Sequence, residues 1–158
     1  MNDARREVLR QRDRLNSTFG RISNIDQDAT ETRADFAKYL CVRVSGFLET
    51  SISALLKAYA VQQSGPKIAH FIAAELDRFQ NAKKDKILML FVQFDATWRA
   101  DLETYLIDEE AAALGTIVAN RHKIAHGEDS TLTYMRVKEH WQVVQRVVDH
   151  IADLVDPL

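Results

Sequence analysis

Between Phe36 and Tyr59 the apolar residues fall three or four positions apart without a break: Phe36, Leu40, Val44, Phe47, Leu48, Ile52, Leu55, Leu56 and Tyr59. That spacing is the period of one face of an α-helix, and it predicts a long helix from about 30 to 62. So wide an apolar face has to be covered by other elements. Gly46 weakens the helix slightly and permits close backbone approach. Tight turns are scarce, because the 158 residues include only five Gly and two Pro, too few for a sandwich or barrel of many short strands. The expectation is an all-α fold.

The rest of the chain reads the same way. Ser64-Gly65-Pro66 stops one helix and starts another, since Gly ends helices and Pro suits a first turn. Ile68, Phe71, Ile72, Leu76 and Phe79 mark the helix that follows. The continuous run Ile87–Val92 fits a buried strand or a buried helix equally, but no second strand is available to pair with it, so it is taken as helix. Trp98, Leu102 and Leu106 extend the pattern toward Asp108-Glu109-Glu110, an acidic opening suited to a helix N-terminus. That helix runs to Gly127, a natural C-terminal cap. In the last segment Val137, Trp141, Val144, Val148, Ile151 and Val155 form an a/d seam, broadened by Val143, Val147 and Leu154. So wide a stripe is usually the inner face of a bundle helix, with a dimer contact as the alternative. The whole, residues 1–158, is expected to be one domain, an up-and-down helical bundle of about five to seven helices.

Charge and cysteine content narrow the function. The net charge is −2, which implies no basic surface for indiscriminate nucleic-acid or membrane binding. The first helix is locally basic, with Arg5, Arg6, Arg10, Arg12, Arg14 and Arg21 against Asp3, Glu7 and Asp13. Either this is a solvated helix face or part of it contacts phosphates. The lone cysteine, Cys41, excludes an internal disulfide framework and a Cys-based zinc cluster. Met1–Arg14 is polar and has no apolar core of a signal peptide, and Ile87–Val92 is too short to span a bilayer. A cytoplasmic protein with no membrane partner is expected.

One segment carries chemistry: Asn120-Arg121-His122-Lys123-Ile124-Ala125-His126-Gly127. Taking about 100° per residue from Leu114, Arg121 falls near 340°, in line with Ile117, Val118 and Ala125. An always-charged guanidinium on an apolar stripe needs a buried carboxylate, an interface, or a cleft that admits an anion. Glu49, beside Phe47 and Leu48 on the long helix, is the candidate carboxylate; the alternative is that it lies on the solvent side. His122 and His126 share one edge of the helix beside Arg121, and imidazole is the side chain suited to proton transfer near neutrality. The two histidines at i and i+4 have the spacing of a zinc site, but Lys123 stands where such sites carry Glu, and no third ligand is evident. A third reading is a capping histidine beside a structural Arg. Trp98 and Trp141 have faces that stack on bases, although aromatics at helical spacing are core in most cases.

The motif, late in an all-helical chain and closed by Gly127, resembles the signature of the HEPN superfamily, in which Arg, a polar residue, a few further residues and His recur in that order. The Asn-Arg-His-x-x-Ala-His-Gly form is most similar to the RiboL-PSP-type branch. The likeness in helical layout spans nearly the whole chain, while the motif itself covers eight residues, Asn120–Gly127. By residue, Arg121 matches the motif Arg, His126 the motif His, and His122 the polar position between them. Asn120 precedes the motif as a supporting neighbour.

The resemblance implies a metal-independent, cofactor-free endoribonuclease acting on RNA as a homodimer, its two motifs lining one cleft. It implies a toxin–antitoxin, phage-defence or RNA-processing role, with an antitoxin protein as a partner in the first case. Cleavage by the RNA's own 2′-hydroxyl needs a base, an acid for the leaving 5′-oxygen and positive charge at the phosphorus. His126 from each of two protomers and Arg121 match those needs, with His122 orienting or polarising, and the products would be a 2′,3′-cyclic phosphate and a 5′-hydroxyl. In HEPN toxins silenced by a partner nucleotidyltransferase a Tyr commonly follows two residues after the motif His; here that residue is Glu128, so the resemblance does not carry this control to the chain. The alternative is a catalytically silent HEPN-like module that binds a nucleotide, an RNA or a protein through Arg121.

Overall fold

The computed structural model describes residues 2–156, which form seven helices and, among the described residues, no strand. They are α1 (Asn2–Ser23), α2 (Thr30–Gln63), α3 (Pro66–Leu76), α4 (Lys84–Phe91), α5 (Ala96–Tyr105), α6 (Asp108–Ala125) and α7 (Tyr134–Val155). The periodic residues of α2 are the reason for the arrangement. Leu40, Val44, Phe47, Leu48, Ile52, Leu55 and Leu56 are all buried, and α1, α3, α6 and α7 pack around them. α2 is the one described helix long and apolar enough to cross a membrane, and 56% of its most apolar window is buried inside the bundle.

The ambiguous run Ile87–Val92 is helical, with Ile87, Leu88 and Phe91 turned to the core. Its pattern does not continue unbroken into Trp98 and Leu102. Asp95 takes extended backbone and its carboxylate accepts from the N–H groups of Thr97 and Trp98, so a new helix, α5, starts there. α3 ends at Leu76, before Phe79, which lies in the segment leading to α4 and still packs on the core.

The seam of α7 is spent inside the molecule. Val137, Val144, Val148 and Ile151 are fully buried, with Trp141 and Val155 nearly so. Trp141 stacks on Phe19 at 6.0 Å and 9°, meets Phe47 edge-on at 4.9 Å, and donates from Nε1 to Asn16 Oδ1 at 2.6 Å. It is a core residue, not a base-stacking one. Trp98 is half-buried against Tyr59 and Phe91, and serves the same purpose.

Polar contacts set the direction of the outer helices. Arg5 pairs with Asp153 and Asp156, Arg12 with Asp149, and the Tyr134 hydroxyl donates to the Phe19 carbonyl at 3.0 Å. Residue numbers rise along α1 as they fall along α7, so the two run antiparallel. Arg5 and Arg12 are therefore neither solvated nor free for phosphate; they stitch α1 to α7. Arg10 is held by Glu7 on its own helix.

Cys41 is fully buried on α2, with Sγ 3.5 Å from the Ile117 carbonyl of α6. Burial pushes its thiol up to about 12. A thiol reagent at about pH 8 is expected to leave folded protein unlabelled and to modify Cys41 fully in denaturant. Rapid labelling of the folded chain would mean that α2 and α6 part readily.

Candidate active site

The motif segment occupies the last two turns of α6, and the way that helix ends decides what the segment presents. Gly127 adopts φ +70, donating its N–H to the Ile124 carbonyl at 3.2 Å, and the Glu128 N–H reaches back to the Lys123 carbonyl at 2.9 Å. These two bonds are the Schellman termination, which satisfies carbonyls that a helix end otherwise leaves unpaired. His126 is the capping residue itself, its N–H shared between the carbonyls of His122 and Lys123 at 3.1 Å each.

The histidine rings lie side by side on the exposed edge, centroids 4.4 Å apart and tilted by 58°. Neither ring is engaged with a carboxylate within ion-pair reach among the described residues. This is the shared edge expected from the helical reckoning. Among the described residues there is also no cluster of three or more His, Cys, Asp or Glu side chains placed to hold a metal ion.

Arg121 is half-buried rather than set in the middle of a buried stripe. The buried positions of α6 are Ala113, Leu114, Ile117 and Val118, and Ala125 is exposed, so the packed part of the helix gives out as the motif begins. Arg121 stands at that margin, beside the histidines. Its Nη1 donates to Asn81 Oδ1 at 3.5 Å, and no carboxylate among the described residues lies within ion-pair distance.

Glu49 is half-buried on α2 and faces the same place from the other side, but it does not pair with Arg121. Its Oε1 accepts the backbone N–H of Asn81 at 2.7 Å. Asn81 thus stands between Arg121 and the carboxylate that the sequence offers as its candidate partner. It lies in the segment joining α3 to α4 with φ 59, the left-handed region that Asn tolerates better than most residues. Sequence reasoning missed it. The available signal was an Asn within Gln80-Asn81-Ala82, just ahead of Lys83-Lys84, a place where a helix has ended and another has not begun.

Asn120 acts behind the site. Its Nδ2 donates to the Thr116 carbonyl at 2.9 Å, and its Oδ1 accepts from the Ser130 hydroxyl at 2.8 Å. Ser130 Oγ in turn accepts the Leu132 N–H at 3.3 Å, so Asn120 fastens the loop that carries the chain from Gly127 to α7.

A family model, RiboL-PSP-HEPN, matches residues 6–156. The chain belongs to the RiboL-PSP-HEPN family. No curated protein and no solved structure matches it. The family match begins in α1 and ends just after α7, so it takes in every element that builds this site. For a HEPN-type domain the arrangement is chemically coherent. It offers a guanidinium without an acidic partner and two imidazoles on one open edge at the end of a capped helix.

The cap is the test of how that edge is held. A Cβ at Gly127 would meet no atom within 4 Å, so the cost of Gly127→Ala lies in the backbone alone. The variant is expected to lose about 1–2 kcal/mol of unfolding free energy, measured by urea denaturation. Unchanged stability would mean that the positive φ at this position is not enforced.

Proposed function

We propose that this chain is a metal-independent endoribonuclease of HEPN type, with Arg121 and His126 as its catalytic residues. The observation that carries the reading is the placement of Arg121, a half-buried guanidinium without a carboxylate partner, on the same helix end as two exposed imidazoles. Like Arg21, Arg33 and Arg43, which bond hydroxyls or a backbone carbonyl, Arg121 has no carboxylate partner among the described residues; it touches a neutral amide. Its charge stays available to an anion, directly beside two exposed imidazoles.

The reaction that suits these groups is transesterification within RNA. An imidazole takes the proton of a 2′-hydroxyl, the 2′-oxygen forms a bond to phosphorus, and the bond to the 5′-oxygen breaks as a second acid protonates it. Arg121 binds the non-bridging oxygens, whose charge grows in the transition state, through its planar fork. The products are a 2′,3′-cyclic phosphate and a 5′-hydroxyl. Base and acid must stand on opposite sides of the phosphorus, whereas His122 and His126 lie together on one side of one helix. A second copy of the chain, bringing its own His126 across a two-fold axis, supplies the opposite side. The homodimer follows from that geometry and from the unpaired edge of α6, not from the α7 seam, which the bundle itself consumes. A cytoplasmic role in defence, RNA processing or a toxin–antitoxin pair belongs to this reading.

Wild type, Arg121→Ala and His126→Ala are to be compared on a mixed-sequence RNA in EDTA. Wild type is expected to leave cyclic-phosphate ends, and each variant to be at least about 100-fold slower. No cleavage by wild type over a range of RNAs and pH would favour the silent binding module with Arg121 as its anion anchor. Equal cleavage by all three proteins would remove both residues from the chemistry.

Sedimentation provides an independent check on the second copy. The chain is 18.0 kDa, and at micromolar concentration a species of twice that mass is expected. A monomer alone would remove the shared cleft, and with it the assignment of base and acid to the two His126 side chains.

A further inference from the structure

We infer that Asn81 is a positioning residue for Arg121, held in place by Glu49, and that it aims the guanidinium at a phosphodiester while leaving its charge uncompensated. The inference rests on the nuclease reading for its substrate, but its geometry stands apart from that reading. Three observations carry it. Asn81 adopts φ 59, a conformation that costs most side chains about 1–2 kcal/mol and is therefore kept by its surroundings. The Glu49 carboxylate receives the Asn81 N–H at 2.7 Å, a charge-assisted bond from the central helix. The Asn81 side-chain oxygen then receives Arg121 Nη1 at 3.5 Å.

The chemical consequence lies in which group touches the arginine. A carboxylate in contact would fix the guanidinium just as well, but it would also neutralise the charge that an incoming phosphate needs. An amide oxygen accepts one N–H, carries no net charge, and leaves the remaining donors of the fork unspent. Glu49 contributes its rigidity through a backbone N–H, one residue removed from the guanidinium. The negative charge stays on α2 and the orientation is passed on to α6.

Asn81→Gly separates position from fold, because glycine adopts φ near +60° freely and keeps the N–H that Glu49 holds. In a wild type that cleaves RNA, this variant is expected to lower kcat about tenfold with KM changed by less than about twofold. Asn81→Asp keeps an acceptor at the same place and adds charge. It is expected to retain more of kcat than Asn81→Gly and to raise KM severalfold. The order parameter of the Arg121 Nε–H bond, measured by NMR relaxation, is expected to fall in Asn81→Gly and to hold in Asn81→Asp. Unchanged kcat in Asn81→Gly, unchanged KM in Asn81→Asp, or an Arg121 side chain as ordered in Asn81→Gly as in wild type would each overturn the assignment. If wild type cleaves no RNA, the nuclease reading fails by itself, and the order parameters alone decide whether Asn81 positions Arg121.

Discussion

Everything in this molecule is arranged around the need to cover α2. A helix of 34 residues with twelve of them buried cannot be satisfied by one neighbour, since its apolar positions spread over more than one face. Four other helices, α1, α3, α6 and α7, share the task. Burying a side chain such as Leu48 or Ile52 is worth about 1.5–3 kcal/mol, and a row of them outweighs the modest helix-forming tendency of the surrounding segments. Once α2 is wrapped, α6 has a fixed seat on it through Ile117, Leu114 and the Cys41 contact. The site is the part of α6 that projects beyond that seat.

Projection alone would leave a frayed end, and the residues at the end prevent it. Gly127 closes the helix in the left-handed conformation, so that His126 sits in a terminated turn rather than a loose one. Asn120 and Ser130 tie down the loop on the far side. The two imidazoles therefore combine exposure with a fixed backbone, a combination that helps a group meeting both solvent and a charged polymer. A histidine farther inside the bundle would have lost access, as His140 shows: it is half-buried on α7, and burial holds its ring below the usual imidazole range.

The sequence was legible where a period was long enough to count. The stretch from Phe36 to Tyr59, the α7 seam and the Gly127 cap are each read directly from spacing or from one residue's backbone preference, and each stands where the spacing put it. The boundary at Asp95 was not legible by periodicity, because α4 and α5 both show apolar residues at helical intervals and the break between them is made by one carboxylate accepting two N–H groups. At the site, the common edge of His122 and His126 follows from helical geometry. The surroundings of Arg121 do not. Glu49 is only one candidate from the sequence, with a solvent-side position as the alternative, and Asn81 is separated from Glu49 by 32 residues and from Arg121 by 40, so no local pattern joins three such positions. Only the packing of three segments brings them together.

Two kinds of arginine in this chain show how placement assigns a role to the same side chain. Arg5 and Arg12 meet carboxylates of α7 across a helix interface, with 21% and 14% of their side chains exposed, and there charge complementarity holds two helices in register. Removing the aspartates would strand largely desolvated guanidinium groups, which ties these residues to the fold. Arg121 is set at the margin of the packed surface, where its acceptor is the Asn81 amide and the Glu49 carboxylate is spent on the Asn81 N–H. A group that served the fold alone would be better stabilised by the carboxylate, because a charge-assisted pair is stronger than a charge–amide contact. The neutral acceptor gives up some of that stabilisation and leaves an oriented positive charge facing outward. That preference is intelligible for a side chain whose partner arrives from solution.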